Sequence, residues 1–183
     1  MPMRVIAGEL RHRLLVYPEN NKDIRPTKDR IREAFFSIVG DINNKTFLDL
    51  YAGCGSIGIE AISRGASHSY FVDINNESLN YVKKNIASLN IADRCIVYKL
   101  KDLDALTRFK EEGIKFDIIY LDPPYESGLY QAALDYIFLN NLLNNKGIVA
   151  CEYKDDISIN PLWDSKNKEY HYGEIKLLVL RKN

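Results

Sequence analysis

Asp122-Pro123-Pro124-Tyr125 follows the apolar run Phe116 to Leu121 and is the segment of this 183-residue chain best equipped for chemistry. Two consecutive prolines fix φ and remove two backbone donors, so the turn is stiff and its carbonyls project as acceptors. The Asp122 carboxylate and the Pro123 carbonyl then suit the two hydrogens of an exocyclic amino group. A nucleobase amine is a poor nucleophile because its lone pair is delocalised into the ring. Holding both hydrogens draws the nitrogen toward tetrahedral geometry and aims the lone pair at an incoming methyl group. Tyr125 would stack on the base, a contact worth about 1–3 kcal/mol in single-strand binding proteins. Most of the acceleration would come from in-line positioning, with Asp122 or water taking the proton after transfer.

A second constellation runs from Leu48 to Gly58, where Gly53, Gly55 and Gly58 have Gly-x-Gly-x-x-Gly spacing. It follows a strand pattern (Thr46 to Tyr51) and opens a helix through Arg64, and Asp73 comes 20 residues after Gly53 at the end of the next strand pattern. That context makes the glycines a nucleoside-binding fingerprint, with Asp73 accepting ribose hydroxyls. Glycine lets the backbone approach a ligand where a Cβ would collide. Asp49 is an acidic residue inside an apolar strand, and its burial requires a hydrogen bond or a ligand. A second carboxylate would repel a pyrophosphate but suits a cation, and S-adenosyl-L-methionine carries both an ammonium and a sulfonium.

Both constellations need a frame that brings strand ends together. Ser69 to Val72, Cys95 to Leu100, Phe116 to Leu121 and Gly147 to Tyr153 read as further strands. Between them, Leu79, Val82, Ile86 and Leu89 mark one helix face, and Ala133, Leu134, Ile137 and Phe138 another. Near-continuous apolar strands alternating with helices imply an α/β fold with a parallel sheet covered on both faces. Lys168 to Tyr172 and Ile175 to Leu180 are separated only by Gly173-Glu174, a hairpin spacing that makes the tail antiparallel. Ahead of the sheet, residues 1–17 alternate basic and apolar types around Gly8, as in a small hairpin with a basic face. A helix follows Arg25-Pro26-Thr27, with Ile31, Ala34, Phe35 and Ile38 at helical spacing, Thr27 as its N-cap and Gly40 as its end.

The chain has 25 basic and 25 acidic residues, which excludes a uniformly basic nucleic-acid coat. The zero is unevenly built: residues 1–36 hold eight basic against five acidic groups, and the rest 17 against 20, a balance of +3 against −3. Cys54, Cys95 and Cys151 lie far apart with no zinc-ligand or disulfide spacing, so no metal is expected. The start lacks an apolar h-region, and no apolar run reaches the roughly 18–20 residues that cross a bilayer. A cytoplasmic monomer is expected.

The chain resembles the bacterial small-subunit ribosomal RNA guanine-N2 methyltransferases that modify guanine 966 of 16S rRNA. Three segments carry the resemblance: Met3 to Gly8, Arg25 to Phe35, and the paired Leu48-to-Gly58 and Asp122-to-Tyr125 motifs. The resemblance implies a single class I, Rossmann-like methyltransferase domain over residues 1–183, with a seven-stranded sheet and an RNA-contacting extension over 1–40. It implies a cofactor site of Asp49, Ala52, Gly53, Gly55, Gly58 and Asp73, with Ile74 beside the adenine. After the third strand either Asp102 or Asp104 meets the adenine, Asp102 being preferred. Thr27 either presents a helix N-terminus to the methionine carboxylate or is a plain cap. Arg4, Arg11, Arg13, Arg25, Lys28, Arg30 and Arg32 are the expected contacts to 16S rRNA or a 30S particle, since phosphate neutralisation supplies most nucleic-acid affinity. A paired guanine would be flipped into the pocket of Asp122 to Tyr125.

Three other functions compete. Asp-Pro-Pro-Tyr also serves DNA adenine-N6 methylation, but only about 45 residues precede the sheet, too few for the usual recognition domain. A dinucleotide-dependent oxidoreductase fits the glycines but not Asp49. A non-catalytic RNA-binding module would have no use for Asp49 and Asp122.

Overall fold

The computed structural model describes residues 3–18, 29–124, 128–160, 163 and 167–182. One seven-stranded sheet is built from β1 (Thr46–Asp49), β2 (His68–Asp73), β3 (Cys95–Lys99), β4 (Phe116–Leu121), β5 (Leu143–Tyr153), β6 (Lys168–Tyr172) and β7 (Ile175–Arg181). Their order is β3-β2-β1-β4-β5-β7-β6. Strands β1 to β5 run parallel to one another, while β7 runs antiparallel to β5 and β6 antiparallel to β7. The α/β class and the antiparallel tail both match the sequence expectation. Strand β5 begins at Leu143 rather than Gly147. Its pairing with β4 shifts register between Phe116 and Ile118, in the stretch where Lys146 takes φ +61. Such an irregularity hides the strand's first residues from a period-2 reading.

Among the described residues, five α-helices flank the sheet: α1 (Asp29–Val39), α2 (Ser56–Ser63), α3 (Asn76–Leu89), α4 (Asp102–Glu111) and α5 (Gly128–Leu139). Successive strand residues face opposite sides, so Phe47 joins one core with α1, α2 and α3, and Leu48 the other with α4 and α5. Helix α4 has no counterpart in the sequence reading, because only Ala105, Leu106 and Phe109 are buried in an otherwise charged segment. Strand order reverses between β1 and β4, and ligands of open α/β sheets sit at the carboxyl ends flanking such a reversal.

Helix α1 buries Ile31, Arg32, Phe35 and Phe36, a stripe rotated from the expected one, with Ala34 and Ile38 only half-buried. Arg32 corrects one expectation. Its side chain has no solvent exposure; Nη2 donates to Asp29 Oδ1 at 2.6 Å and to the Arg4 carbonyl at 2.8 Å. A guanidinium so enclosed cannot neutralise an RNA phosphate, and here it ties α1 to the N-terminal segment.

That segment, residues 3–18, bends back through Gly8 and His12, both at positive φ, with one antiparallel bridge between Arg4 and Leu14. The expected hairpin forms: Val5 N–H donates to the Arg13 carbonyl, His12 N–H to the Val5 carbonyl and Leu15 N–H to the Met3 carbonyl, each at 2.9 Å. Several inner N–H groups bond to α2 instead of the opposite strand: Ile6 and Ala7 donate to Glu60 at 2.8 and 3.0 Å, and Leu10 to Ser63 Oγ at 3.0 Å. Glu60 is wholly buried and also takes the Nε–H of Arg64 at 2.8 Å. Met3, Val5 and Leu15 join the core beside α2, while Arg4, Arg11 and Arg13 stay exposed. Among the described residues no helix is long and apolar enough to cross a membrane.

Candidate active site

The glycine turn leaves β1 at the reversal point. Gly53 and Gly55 have φ of +54° and +82°, a region that side chains other than glycine occupy only at a cost. A Cβ at Gly53 would meet nothing within 4 Å, so this backbone faces open space where a ligand can approach. A Cβ at Gly58 would lie 2.4 Å from a ring carbon of Phe71, so this glycine lets α2 close onto β2. The three glycines therefore do different work. Asp49 Oδ2 accepts the N–H of Gly58 at 3.1 Å. Burial, joined by the Asp73 charge and opposed by the Gly58 bond, pushes the Asp49 carboxyl up to about 7.

Asp73, at the end of β2, binds the turn itself. Its Oδ2 accepts the N–H of Gly53 at 2.9 Å and its Oδ1 that of Asn75 at 2.8 Å. The Ile74 N–H also bonds this carboxylate, which leaves about one of its roughly four acceptor sites for a ribose hydroxyl. Ile74 is exposed, an apolar surface beside that carboxylate, and Ala52 is buried, its N–H donating to the Val72 carbonyl at 2.9 Å. Asp102 is half-buried at the first turn of α4 and accepts the Tyr51 hydroxyl at 2.6 Å, whereas Asp104 is exposed.

Asp122 follows β4 directly and is half-buried, with Pro123 buried and Pro124 exposed. Asp49 pairs with Tyr120 across β1 and β4, so the Asp122 turn begins just beyond the level of Asp49, on the other side of the reversal. The structure brings the glycine turn, Asp49, Asp73, Asp102 and the Asp122 turn to one edge of the sheet. Thr27, Arg25, Lys28 and Tyr125 lie outside the described residues. Arg30 is exposed on α1, as Arg4, Arg11 and Arg13 are on the N-terminal segment.

Two polar groups near this edge, Glu152 and Asn85, escaped the sequence reading. Glu152 is buried on β5, the strand next to β4; Tyr120 donates its hydroxyl to Glu152 Oε2 and Tyr130 donates to the Glu152 carbonyl. Burial drives both phenols above their ordinary range, and the Asp122 charge adds to it. The rule applied to Asp49, an acidic residue inside an apolar strand, would have found Glu152. Asn85, buried on α3, accepts the N–H of Val16 at 2.8 Å and donates to the carbonyls of Val16 (2.9 Å) and Cys54 (3.2 Å). It joins the N-terminal segment to the glycine turn, and only tertiary contact reveals it.

The chain has counterparts among known proteins. Ribosomal RNA small subunit methyltransferase D of Haemophilus influenzae is 33% identical over 156 residues, 84% of this chain and 80% of that protein. A solved structure from Thermus thermophilus, described as a hypothetical protein, is 26% identical with a TM-score of 0.80, covering 97% of this chain and 98% of that one. An RNA methyltransferase of Salinibacter ruber, solved with S-adenosyl-L-homocysteine, shares the fold at 15% identity and a TM-score of 0.65, over 86% and 93% of the two chains. The fold is thus the Rossmann-like one of class I methyltransferases. With a family model matching residues 3–181 and the Haemophilus relative matching most of both chains, this chain belongs to the family described as Conserved hypothetical protein 95.

Proposed function

We propose that this chain is an S-adenosyl-L-methionine-dependent methyltransferase acting on the exocyclic N2 of a guanine in 16S rRNA, at the position equivalent to guanine 966. The observation that carries the reading is the juxtaposition of two turns at the strand-order reversal. One is a glycine turn backed by buried Asp49, and the other is the rigid Asp122-Pro123-Pro124 turn of the neighbouring strand. The small-subunit rRNA methyltransferase relative supports the choice of RNA over DNA.

S-adenosyl-L-methionine, when bound, supplies an electrophilic methyl on a sulfonium. Asp49, Ala52, Gly53, Gly55, Asp73, Ile74 and Asp102 would hold it along the glycine turn and the ends of β1, β2 and β3, while Gly58 lets α2 close onto β2 behind the turn. Asp122 and the Pro123 carbonyl accept the two hydrogens of the guanine amine and direct its lone pair into line, with Tyr125 stacking on the base. Residues 1–40 serve as the RNA-contacting part. Arg4, Arg11, Arg13 and Arg30 present charge to phosphates, with Arg25 and Lys28 in the same stretch of chain. The enzyme works as a cytoplasmic monomer on rRNA or a 30S particle. The test is to methylate unmodified 30S particles, naked 16S rRNA and DNA in parallel with labelled cofactor, then analyse nucleosides. N2-methylguanine in RNA is expected; N6-methyladenine or labelled DNA overturns the reading.

Asp49 makes cofactor binding pH-dependent. Because its carboxyl is raised to about 7 from 3.8, the folded chain holds a proton that the unfolded chain has released between about pH 4 and 7. This group's contribution to stability therefore falls as pH rises through that window and is flat above it. A cationic ligand favours the ionised form, so binding below about pH 7 must expel the proton. Affinity for S-adenosyl-L-methionine is expected to rise by up to about tenfold per pH unit below 7 and to level off above. Calorimetric titration from pH 5.5 to 8.5 reads the slope, and Asp49→Asn should flatten it. An equal slope in the variant would assign the dependence to another group.

A further inference from the structure

Asp102 uses both carboxylate oxygens within the protein, Oδ1 accepting the N–H of Leu103 at 2.8 Å and Oδ2 the hydroxyl of Tyr51 at 2.6 Å. Tyr51 comes from the turn after β1, and its chain neighbours are fastened on both sides: Leu50 N–H donates to the Tyr120 carbonyl at 3.1 Å and Ala52 N–H to the Val72 carbonyl at 2.9 Å. The phenol is therefore a strut from the centre of the sheet to a carboxylate at the start of α4, across β2. Half-burial raises the Tyr51 hydroxyl far above its ordinary range, with the Asp102 bond adding to the shift, so it remains a donor throughout the physiological range. On the same edge lie Asp73 at the end of β2 and the exposed side chain of Ile74, a surface that fits a flat ring.

We propose that Tyr51 is a positioning residue that aims the Asp102 carboxylate at the exocyclic amine of the cofactor's purine and so makes the site select a 6-amino over a 6-oxo purine. The inference rests on the reading of this edge as an S-adenosyl-L-methionine site. An ionised carboxylate only accepts hydrogen bonds. A 6-amino purine offers it N–H, whereas a 6-oxo purine offers a carbonyl oxygen that repels it. A site built around a hydrogen bond rejects a ligand that leaves its polar group unpaired far more strongly than one built on apolar fit. The Tyr51 hydroxyl occupies one lone pair of Oδ2 and the helix N–H one lone pair of Oδ1, which fixes the carboxylate plane and leaves the remaining lone pairs in set directions. Without the phenol, Asp102 keeps its acceptor oxygens but loses its aim.

The experiment is calorimetric titration of the full chain with S-adenosylhomocysteine and its 6-oxo analogue, S-inosylhomocysteine. Wild type, Tyr51→Phe and Asp102→Asn are compared, with melting temperatures alongside. Wild type should prefer the adenosyl ligand by at least about thirtyfold, on the scale of one hydrogen bond to a charged group. Tyr51→Phe should reduce that preference to about fivefold or less through weaker adenosyl binding, because the residual bond is no longer pre-aimed. Asp102→Asn, whose amide both donates and accepts, should bring the preference close to unity. A merely structural role for Tyr51 would weaken both ligands equally, and an unchanged ratio in Tyr51→Phe overturns the inference while leaving the cofactor reading intact. Failure of the wild-type chain to bind S-adenosylhomocysteine overturns the cofactor reading, and the inference with it.

Discussion

Replacing Asp122 with alanine is expected to lower kcat by about 10³-fold while leaving the Kd for S-adenosylhomocysteine within about threefold of wild type. The reason is positional. Asp122 stands beyond β4, opposite the cofactor-side carboxylates on β1 and β2, so its loss removes an acceptor for the amine without touching the glycine turn. A second variant separates its two possible duties. Asp122→Asn keeps one acceptor oxygen, so a residue that only orients the amine should retain about a tenth to a hundredth of the rate, the scale of one misplaced hydrogen bond. A residue that must also take the proton should be as inactive in Asn as in Ala. Single-turnover methylation with saturating cofactor measures both, and calorimetry with S-adenosylhomocysteine checks binding. Equal loss of turnover and cofactor binding would place Asp122 in the cofactor site instead.

Gly8→Ala is expected to cost about 3 kcal/mol of stability, or about 6–12 °C in melting temperature for a chain of this size. Gly8 has φ +82°, and a Cβ there would lie 1.8 Å from the Ser63 carbonyl oxygen, a backbone atom of α2 that cannot swing away. The N-terminal segment must lift, breaking the bonds of Ile6 and Ala7 to buried Glu60. Gly40→Ala is the control. Gly40 has φ +81° but an added Cβ meets nothing within 4 Å, so only the backbone strain of about 1–2 kcal/mol applies. Thermal denaturation of both variants reads the difference, and equal shifts would show that the close approach to α2 contributes nothing. Because Arg4, Arg11 and Arg13 ride on the displaced segment, RNA affinity should fall in Gly8→Ala and stay unchanged in Gly40→Ala.

Local pattern carried the reading of the sheet a long way, and particular residues show where it stopped. The apolar runs at Thr46, Phe116 and Ile175 are strands because strands buried on both faces are apolar at every position, a signal present in any short window. The glycine turn and the Asp-Pro-Pro turn were legible because glycine and proline constrain their own backbone. Helix α4 was not, since three buried residues among seven others leave a weak period. The irregular start of β5 was lost for the same kind of reason, as a register shift breaks the alternation that marks a strand.

The side chains divide along the same line. The sequence by itself determined the α/β class, the antiparallel tail, and which two turns meet at one sheet edge, because strand direction and crossover handedness leave few arrangements for such a succession of elements. Only the tertiary structure decided what each polar group touches. Arg32 looked like its exposed neighbour Arg30 and is wholly enclosed. Asp73, expected to accept ribose hydroxyls, also bonds the turn itself, and Tyr51 reaches Asp102 across an intervening strand. Glu152, Glu60 and Asn85 hold together segments far apart along the chain. Burial and hydrogen bonding of a side chain depend on what the rest of the chain packs against it, and no local spacing encodes that.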